Sequence, residues 1–179
     1  MSKKRPDLTP EQKAALPYRP CVGAIVVNRD GLVWVGRRLP NEEYTGDARL
    51  WQFPQGGIDE GEDAEKAARR ELYEETSIRS VSLITAVDGW LTYDLPEHLV
   101  GVALKGKYRG QKQRWFLYGF EGEETEINVA APPDGHDAEF DEWAWMAIED
   151  VPAKAVAFKV DLYRTLIAHL RGETAIRFS

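Results

Sequence analysis

The segment from Trp51 to Ile78 constrains this chain more than any other. Trp51 to Phe53 is short and aromatic and reads as the end of a strand. Pro54-Gln55-Gly56-Gly57 breaks it, and a loop runs on through Gly61. Asp63 to Thr76 then reads as a helix, because Ala64, Ala68 and Leu72 recur every four residues and form one apolar stripe. Asp63 is placed to cap it. Lys66 stands at the third helical position, so the reciprocal capping box is absent.

The polar face of that helix is unusual. Between Asp59 and Glu75 there are eight acids and three bases, a charge of −5 out of −7 for the whole chain. Glu71, Glu74 and Glu75 are spaced i, i+3, i+4 and share one face. Like charges at that spacing repel by a few tenths of a kcal/mol per pair, and the helix C-terminus disfavours negative charge. Three glutamates alone fit a solvated acidic face. Arg70 beside them, able to hold a carboxylate by paired hydrogen bonds, and Gly56-Gly57, which lets backbone approach closely, shift the balance toward a site for a hard divalent cation.

The rest of the chain supplies a sheet and a second helix. Cys21 to Asn28 and Leu32 to Arg38 read as a hairpin about Asp30-Gly31. Val81 to Val87, Gln113 to Phe120 and Glu142 to Ala147 read as further strands, and Val156 to Leu170 as a helix. Pro40 to Arg49, Gly106 to Gly110 and Ala130 to Gly135 read as loops. Trp51, Trp115, Trp143 and Trp145 read as core aromatics. The expected architecture is α/β, an α/β/α sandwich around a mixed sheet. It forms one domain over residues 18–172, with a disordered tail over 1–17 and a short C-terminal tail over 173–179. No apolar run is long enough to span a bilayer, and Cys21 is the only cysteine, so a reduced cytoplasmic setting is the expectation. The acidic net charge and the lack of a basic stripe give no reason to expect DNA or membrane as a partner.

Gly56, Glu62, Arg70-Glu71-Leu72, Glu74-Glu75 and Ile78 fall in one register over 23 residues. This register resembles the Nudix box, with one departure: Ser77 stands where the family has glycine. The resemblance implies Mg²⁺ or Mn²⁺, more than one ion, held by Gly56, Glu71, Glu74 and Glu75, and water attack on a phosphate–phosphate bond. Glu71, Glu74, Glu75 and Arg70 are the implied catalytic group, with one acid assisting deprotonation of the water. Ser77 lies at the helix C-terminus, where a left-handed conformation is needed and serine is tolerated at some cost.

Outside the box, Tyr18-Arg19-Pro20, Arg37-Arg38, Trp51 to Ile58, Tyr93-Asp94-Leu95-Pro96, Gly110 to Gln113, Glu139-Phe140-Asp141 and Phe158-Lys159 resemble, in the same order, the bacterial RNA pyrophosphohydrolases. By that resemblance Glu139 joins the metal site. Arg19 and Arg38 lie near the phosphates, and Tyr93, Phe158 and Lys159 near the bases or backbone of an RNA 5′ end. Each has a plainer reading: surface arginines, a core Phe158, a surface Glu139. The implied activity is removal of pyrophosphate from 5′-triphosphorylated RNA, which starts transcript decay. A dinucleoside polyphosphate, such as diadenosine tetraphosphate, is the alternative substrate. A non-catalytic nucleotide-binding regulator is a third reading, disfavoured by the intact Arg70-Glu71 and Glu74-Glu75.

Overall fold

The computed structural model describes residues 7–41 and 50–173. Most of the Pro40–Arg49 segment and most of the C-terminal tail therefore lie outside the described residues. The order of main elements is α1 (Pro10–Ala14), β1 (Tyr18–Val27), β2 (Val33–Arg38), β3 (Trp51–Gln52), β4 (Gln55–Gly57), α2 (Ala64–Thr76), β5 (Val81–Ala86), β6 (Leu91–Asp94), β7 (Gly110–Phe120), β8 (Phe140–Met146), α3 (Val151–Lys154) and α4 (Val160–Glu173).

β1 and β7 run parallel at the centre of the sheet, from Tyr18 opposite Gly110 to Val27 opposite Gly119. All other pairings are antiparallel: β2, β4 with β1; β3, β8 with β2; β5, β6 with β7. The sheet is mixed, as expected. Alternation along the two central strands sends side chains to two cores. Val22, Ala24, Val26, Phe116 and Tyr118 pack with Ala67, Ala68 and Leu72 of α2. Ile25, Val27, Trp115 and Leu117 pack with Leu162, Tyr163, Leu166 and Ile167 of α4. A sheet with a helix on each face is the α/β/α arrangement the sequence implied. Trp115 is core, while Trp51, Trp143 and Trp145 are partly buried against the two cores.

The hairpin turn forms at Asp30-Gly31, where the sequence predicts it. Gly31 takes φ +76°, and Asn28 Oδ1 accepts from the amides of Asp30 and Leu32, each at 3.0 Å. Asp63 caps α2, accepting from the Lys66 amide at 3.0 Å. Within that first turn, Glu65 Oε1 accepts from Tyr118 Oη at 3.1 Å and from Arg69 Nε, tying α2 to β7.

Several boundaries differ from expectation. Gly56-Gly57 is strand rather than loop, because β4 pairs with Cys21 and Val22 of β1. β6 has no counterpart among the expected elements. β7 begins three residues early and β8 two. Phe158 and Lys159 sit in a 3₁₀ turn, and α4 starts only at Val160, because Ala155 and Val156 are extended and interrupt the helical run. Residues 10–14, expected in a disordered tail, form a helix. Thr9 and Gln12 make a full capping box, with Pro10 at the first helical position.

Candidate active site

Arg70 organises the site. Its Nε and Nη2 donate to the two oxygens of Glu62 at 2.8 and 2.9 Å, the paired geometry a guanidinium allows. Nη1 donates to Glu71 Oε1 at 3.0 Å and to Glu74 Oε2 at 3.2 Å, and Nη2 also reaches the Gly57 carbonyl at 2.9 Å. One side chain therefore ties the loop, β4 and the acidic face of α2 together. Glu62 in turn accepts from the Asp59 amide at 2.9 Å, closing the loop on itself. The bond to Arg70 holds the Glu62 carboxyl below the usual carboxylate range, and the same bond keeps Arg70 more firmly charged than usual.

Gly56 faces Glu71. A Cβ on Gly56 would lie 2.0 Å from the Glu71 carboxyl carbon, so only glycine leaves the space that carboxylate fills. Burial pushes the Glu71 carboxyl up to about 7, against the pull of Arg70. Glu75 is 7% exposed. Its carboxyl is raised well above the usual range by burial first, then by Glu139 and Glu71. The Gln55 amide donates to it, yet Oε2 is buried with no hydrogen-bond partner among the described residues. A buried carboxylate oxygen with no donor, beside a second buried carboxylate, is costly in a protein alone. A divalent cation would satisfy it, so the donor set fits a hard metal ion. Among the described residues no three acids or histidines converge on one point closely enough to hold such an ion as they stand. Arg70 and Arg38 hold several of them, and these carboxylates must turn to share a ligand.

Glu71 and Glu75 line a cavity of about 270 Å³ with Gly56, Gly57, Gln55, Gln111, Arg19, Arg38, Leu104 and Glu139. The Arg19 guanidinium lies over Gly57, where a Cβ would come within 2.5 Å of Nη2. Arg38 Nη2 pairs with Glu139 Oε2 at 3.0 Å. A bulge brings that pair here: the register between β2 and β8 shifts at Arg37/Arg38, with Asp141 as the extra residue, and Arg37 turns outward to Asp141 and Glu142. A second cavity of about 230 Å³ is lined by Glu71, Glu74, Glu75, His136, Asp137 and Glu139, with His136 Nε2 at 3.5 Å from Glu74 Oε1.

Acids on α2, Glu139 and two arginines thus meet at one place. Tyr93, Phe158 and Lys159 do not line either cavity. Tyr93 and Phe158 pack ring on ring at 5.7 Å. Lys159 is fully buried, donating to Gln52 Oε1 at 3.0 Å. Gln55, Gln111 and Gln113 form a neighbouring buried amide chain that ends on the indole of Trp115. Sequence reasoning gives no role to Gln55, Gln111, His136 or Leu104. The alternating glutamines 111 and 113, on the inward face of an otherwise apolar strand, are the available signal.

Ser77 occupies the left-handed position at the end of α2, with φ 67°. Its amide bonds the Tyr73 carbonyl and its hydroxyl donates to the Asn128 carbonyl at 3.0 Å, which offsets the strain that glycine avoids.

Residues 17–166 match the model of the NUDIX domain. The chain belongs to the Nudix family. It is 58% identical over 155 residues to an RNA pyrophosphohydrolase of Rhizobium meliloti (strain 1021), covering 86% of this chain and 93% of that protein. It is 54% identical over 173 residues to an RNA pyrophosphohydrolase of Brucella anthropi, covering 96% and 98%. Among solved structures, a C. elegans Ap4A hydrolase in a binary complex aligns with TM-score 0.58 at 20% identity, covering 86% of this chain and 98% of that one. The E. coli dihydroneopterin triphosphate pyrophosphohydrolase aligns at 0.60 and 19%, covering 85% and 98%. At those identities the structures attest the Nudix fold. The segment from Gly56 to Ile78 lies within the matched residues.

Proposed function

We propose that this Nudix protein is an RNA pyrophosphohydrolase that removes pyrophosphate from the 5′-triphosphate end of RNA and so starts transcript decay. The observation that carries the chemistry is the buried Oε2 of Glu75, without a hydrogen-bond partner among the described residues, beside Glu71 in a cavity that also holds Arg19 and Arg38. Carboxylates to hold cations and arginines to hold phosphate lie within one small cavity. The substrate rests on the 54–58% identity to RNA pyrophosphohydrolases over most of both chains.

Glu71, Glu74, Glu75 and Glu139 would hold Mg²⁺ or Mn²⁺, with the Gly56 backbone beside them. The two cavities share Glu71, Glu75 and Glu139, which gives room for more than one ion. Bound there, such ions neutralise phosphate charge and make water a stronger nucleophile near neutral pH. The protein's own part is positioning. Arg70 fixes the carboxylates through four hydrogen bonds to Glu62, Glu71 and Glu74. Arg19 and Arg38 are cations placed to orient the polyphosphate. A neighbouring carboxylate takes the proton from the attacking water. A cytoplasmic setting suits both the substrate and a buried unpaired thiol at Cys21.

The test compares kcat/KM for 5′-triphosphorylated RNA and diadenosine tetraphosphate in parallel. RNA is expected to be preferred. A 100-fold preference for the dinucleotide, about 2.7 kcal/mol, would make the chain a dinucleoside polyphosphate hydrolase instead. Glu75→Gln, with folding checked by circular dichroism, should lower turnover at least ~100-fold. Turnover within about threefold of the parent would remove Glu75 from the metal site.

A further inference from the structure

Beside the acidic cavity lies a second one of opposite charge. It has a volume of about 290 Å³ and is lined by Arg19, Leu104, Lys105, Lys107 and Tyr108. Arg19 and Leu104 line both cavities, so the two adjoin across a shared wall. The second contains three cations and no acid, in a chain whose net charge is −7.

We infer that this basic cavity binds the phosphodiesters that follow the first nucleotide of an RNA substrate. The inference rests on the RNA reading above and deepens it. A 5′ triphosphate held beside Glu71 and Glu75 leaves the rest of the strand to exit past acids that repel it. Arg19 at the shared wall, then Lys105 and Lys107, offer that strand counter-charges. Tyr108 adds a ring on which an unpaired base can stack. A dinucleoside polyphosphate has no phosphodiester after its first nucleoside, so this cavity separates the two substrate classes.

The rim of the cavity is built rather than incidental. Leu104, Lys105 and Gly106 take φ of 52°, 59° and 69° in succession, a reversal that non-glycine residues adopt at a cost. It is held by hydrogen bonds from Gly106 N to Ala103 O at 2.9 Å and Lys107 N to Leu104 O at 3.3 Å. The following Arg109 donates to Asp94 at 2.8 Å and to the Ala14 carbonyl at 3.0 Å, which braces the segment against α1 and β6.

The test uses the full chain and a Lys105→Gln/Lys107→Gln variant. Lys105 is exposed and Lys107 lies at the surface, so the fold should tolerate the change. For pppN, pppNpN and pppNpNpN, kcat/KM should rise about fivefold or more along the series in the parent. In the variant that rise should vanish. Binding of a 3′-fluorescein-labelled pNpNpN, followed by anisotropy without metal, should weaken in parallel. The slope of log Kd against log salt should fall by about 0.7 for each phosphate that is no longer neutralised. A rise with length that persists in the variant, or an unchanged salt slope, overturns the inference. So does an equal drop on diadenosine tetraphosphate, which would assign the cavity to polyphosphate. If the parent itself releases no pyrophosphate from any triphosphorylated RNA, the substrate reading fails and takes this inference with it.

Discussion

Gly56 is glycine because the Glu71 carboxylate fills the space its side chain would need. Gly56→Ala must displace the Glu71 carboxylate, the end of a side chain that Arg70 holds by a hydrogen bond at 3.0 Å. We expect turnover to fall ~100-fold and stability to drop by about 1–3 kcal/mol, read by pyrophosphate release and by urea unfolding. A variant with parent-like turnover would show that Glu71 can move without penalty. Ser77 gives the opposite case. Ser77→Gly relieves the left-handed strain but removes the hydroxyl bond to Asn128. Those effects are each about 1 kcal/mol, so unfolding midpoints should agree closely. A drop above ~2 kcal/mol would mean that the hydroxyl is structural. At this scale the sequence is informative, because a glycine, an arginine and a row of acids at fixed spacing have few joint uses. It is uninformative about Tyr93, Phe158 and Lys159, whose chemistry suits a base or phosphate but whose packing depends on three separate elements.

The loop from Ile58 to Asp63 has little apolar content, and Arg70 anchors it through Glu62. Lysine cannot reproduce that fork. Arg70→Lys should therefore free the loop while leaving α2 intact, at about 2–3 kcal/mol. Hydrogen exchange should speed at Asp59 and Glu62 and stay slow along Ala67 to Leu72. Uniform acceleration would refute a local role. Element type follows from periodicity wherever an element has a strong apolar face of its own, as α2, β1 and β7 do. β4 escapes because Gln-Gly-Gly has no strand propensity, and only pairing with Cys21 and Val22 makes it strand. β6 is four residues long, with too little alternation to register. The start of α4 is illegible because Val156 and Phe158 fit the apolar spacing of a helix that the backbone does not yet form.

Over the whole molecule, the site carries a pH signature. Burial raises Glu71 to about 7 in the metal-free protein, and it also raises Glu75 well above the usual carboxylate range. The folded state therefore keeps protons that the unfolded chain releases near 4.5. Stability must fall as pH rises from about 4.5 through 7, by up to roughly 3 kcal/mol for Glu71. Glu62 and Asp94, both lowered, act only at more acid pH. In chelator, Tm should decline between about pH 5 and 7.5. Mg²⁺ should restore it at the upper end, and Glu71→Gln should flatten the slope. A Tm that rises across that window without metal would contradict the burial of these carboxyls.

The parallel pairing of β1 with β7 has a consequence during synthesis. Tyr18 emerges from the ribosome about ninety residues before Gly110, its partner across the sheet. At roughly 5–20 residues per second the wait is about 5–20 s. The loop and α2 can form early from local contacts, but the strand they dock on lacks its central neighbour until residues 110–120 appear. Non-local pairing of this kind forms slowly. A nascent chain halted before Gly110 would carry a complete acidic helix and a β1 whose edge toward β7 is unpaired. The hydrolytic site is thus assembled only after β7, and then Glu139 beyond it, have been made.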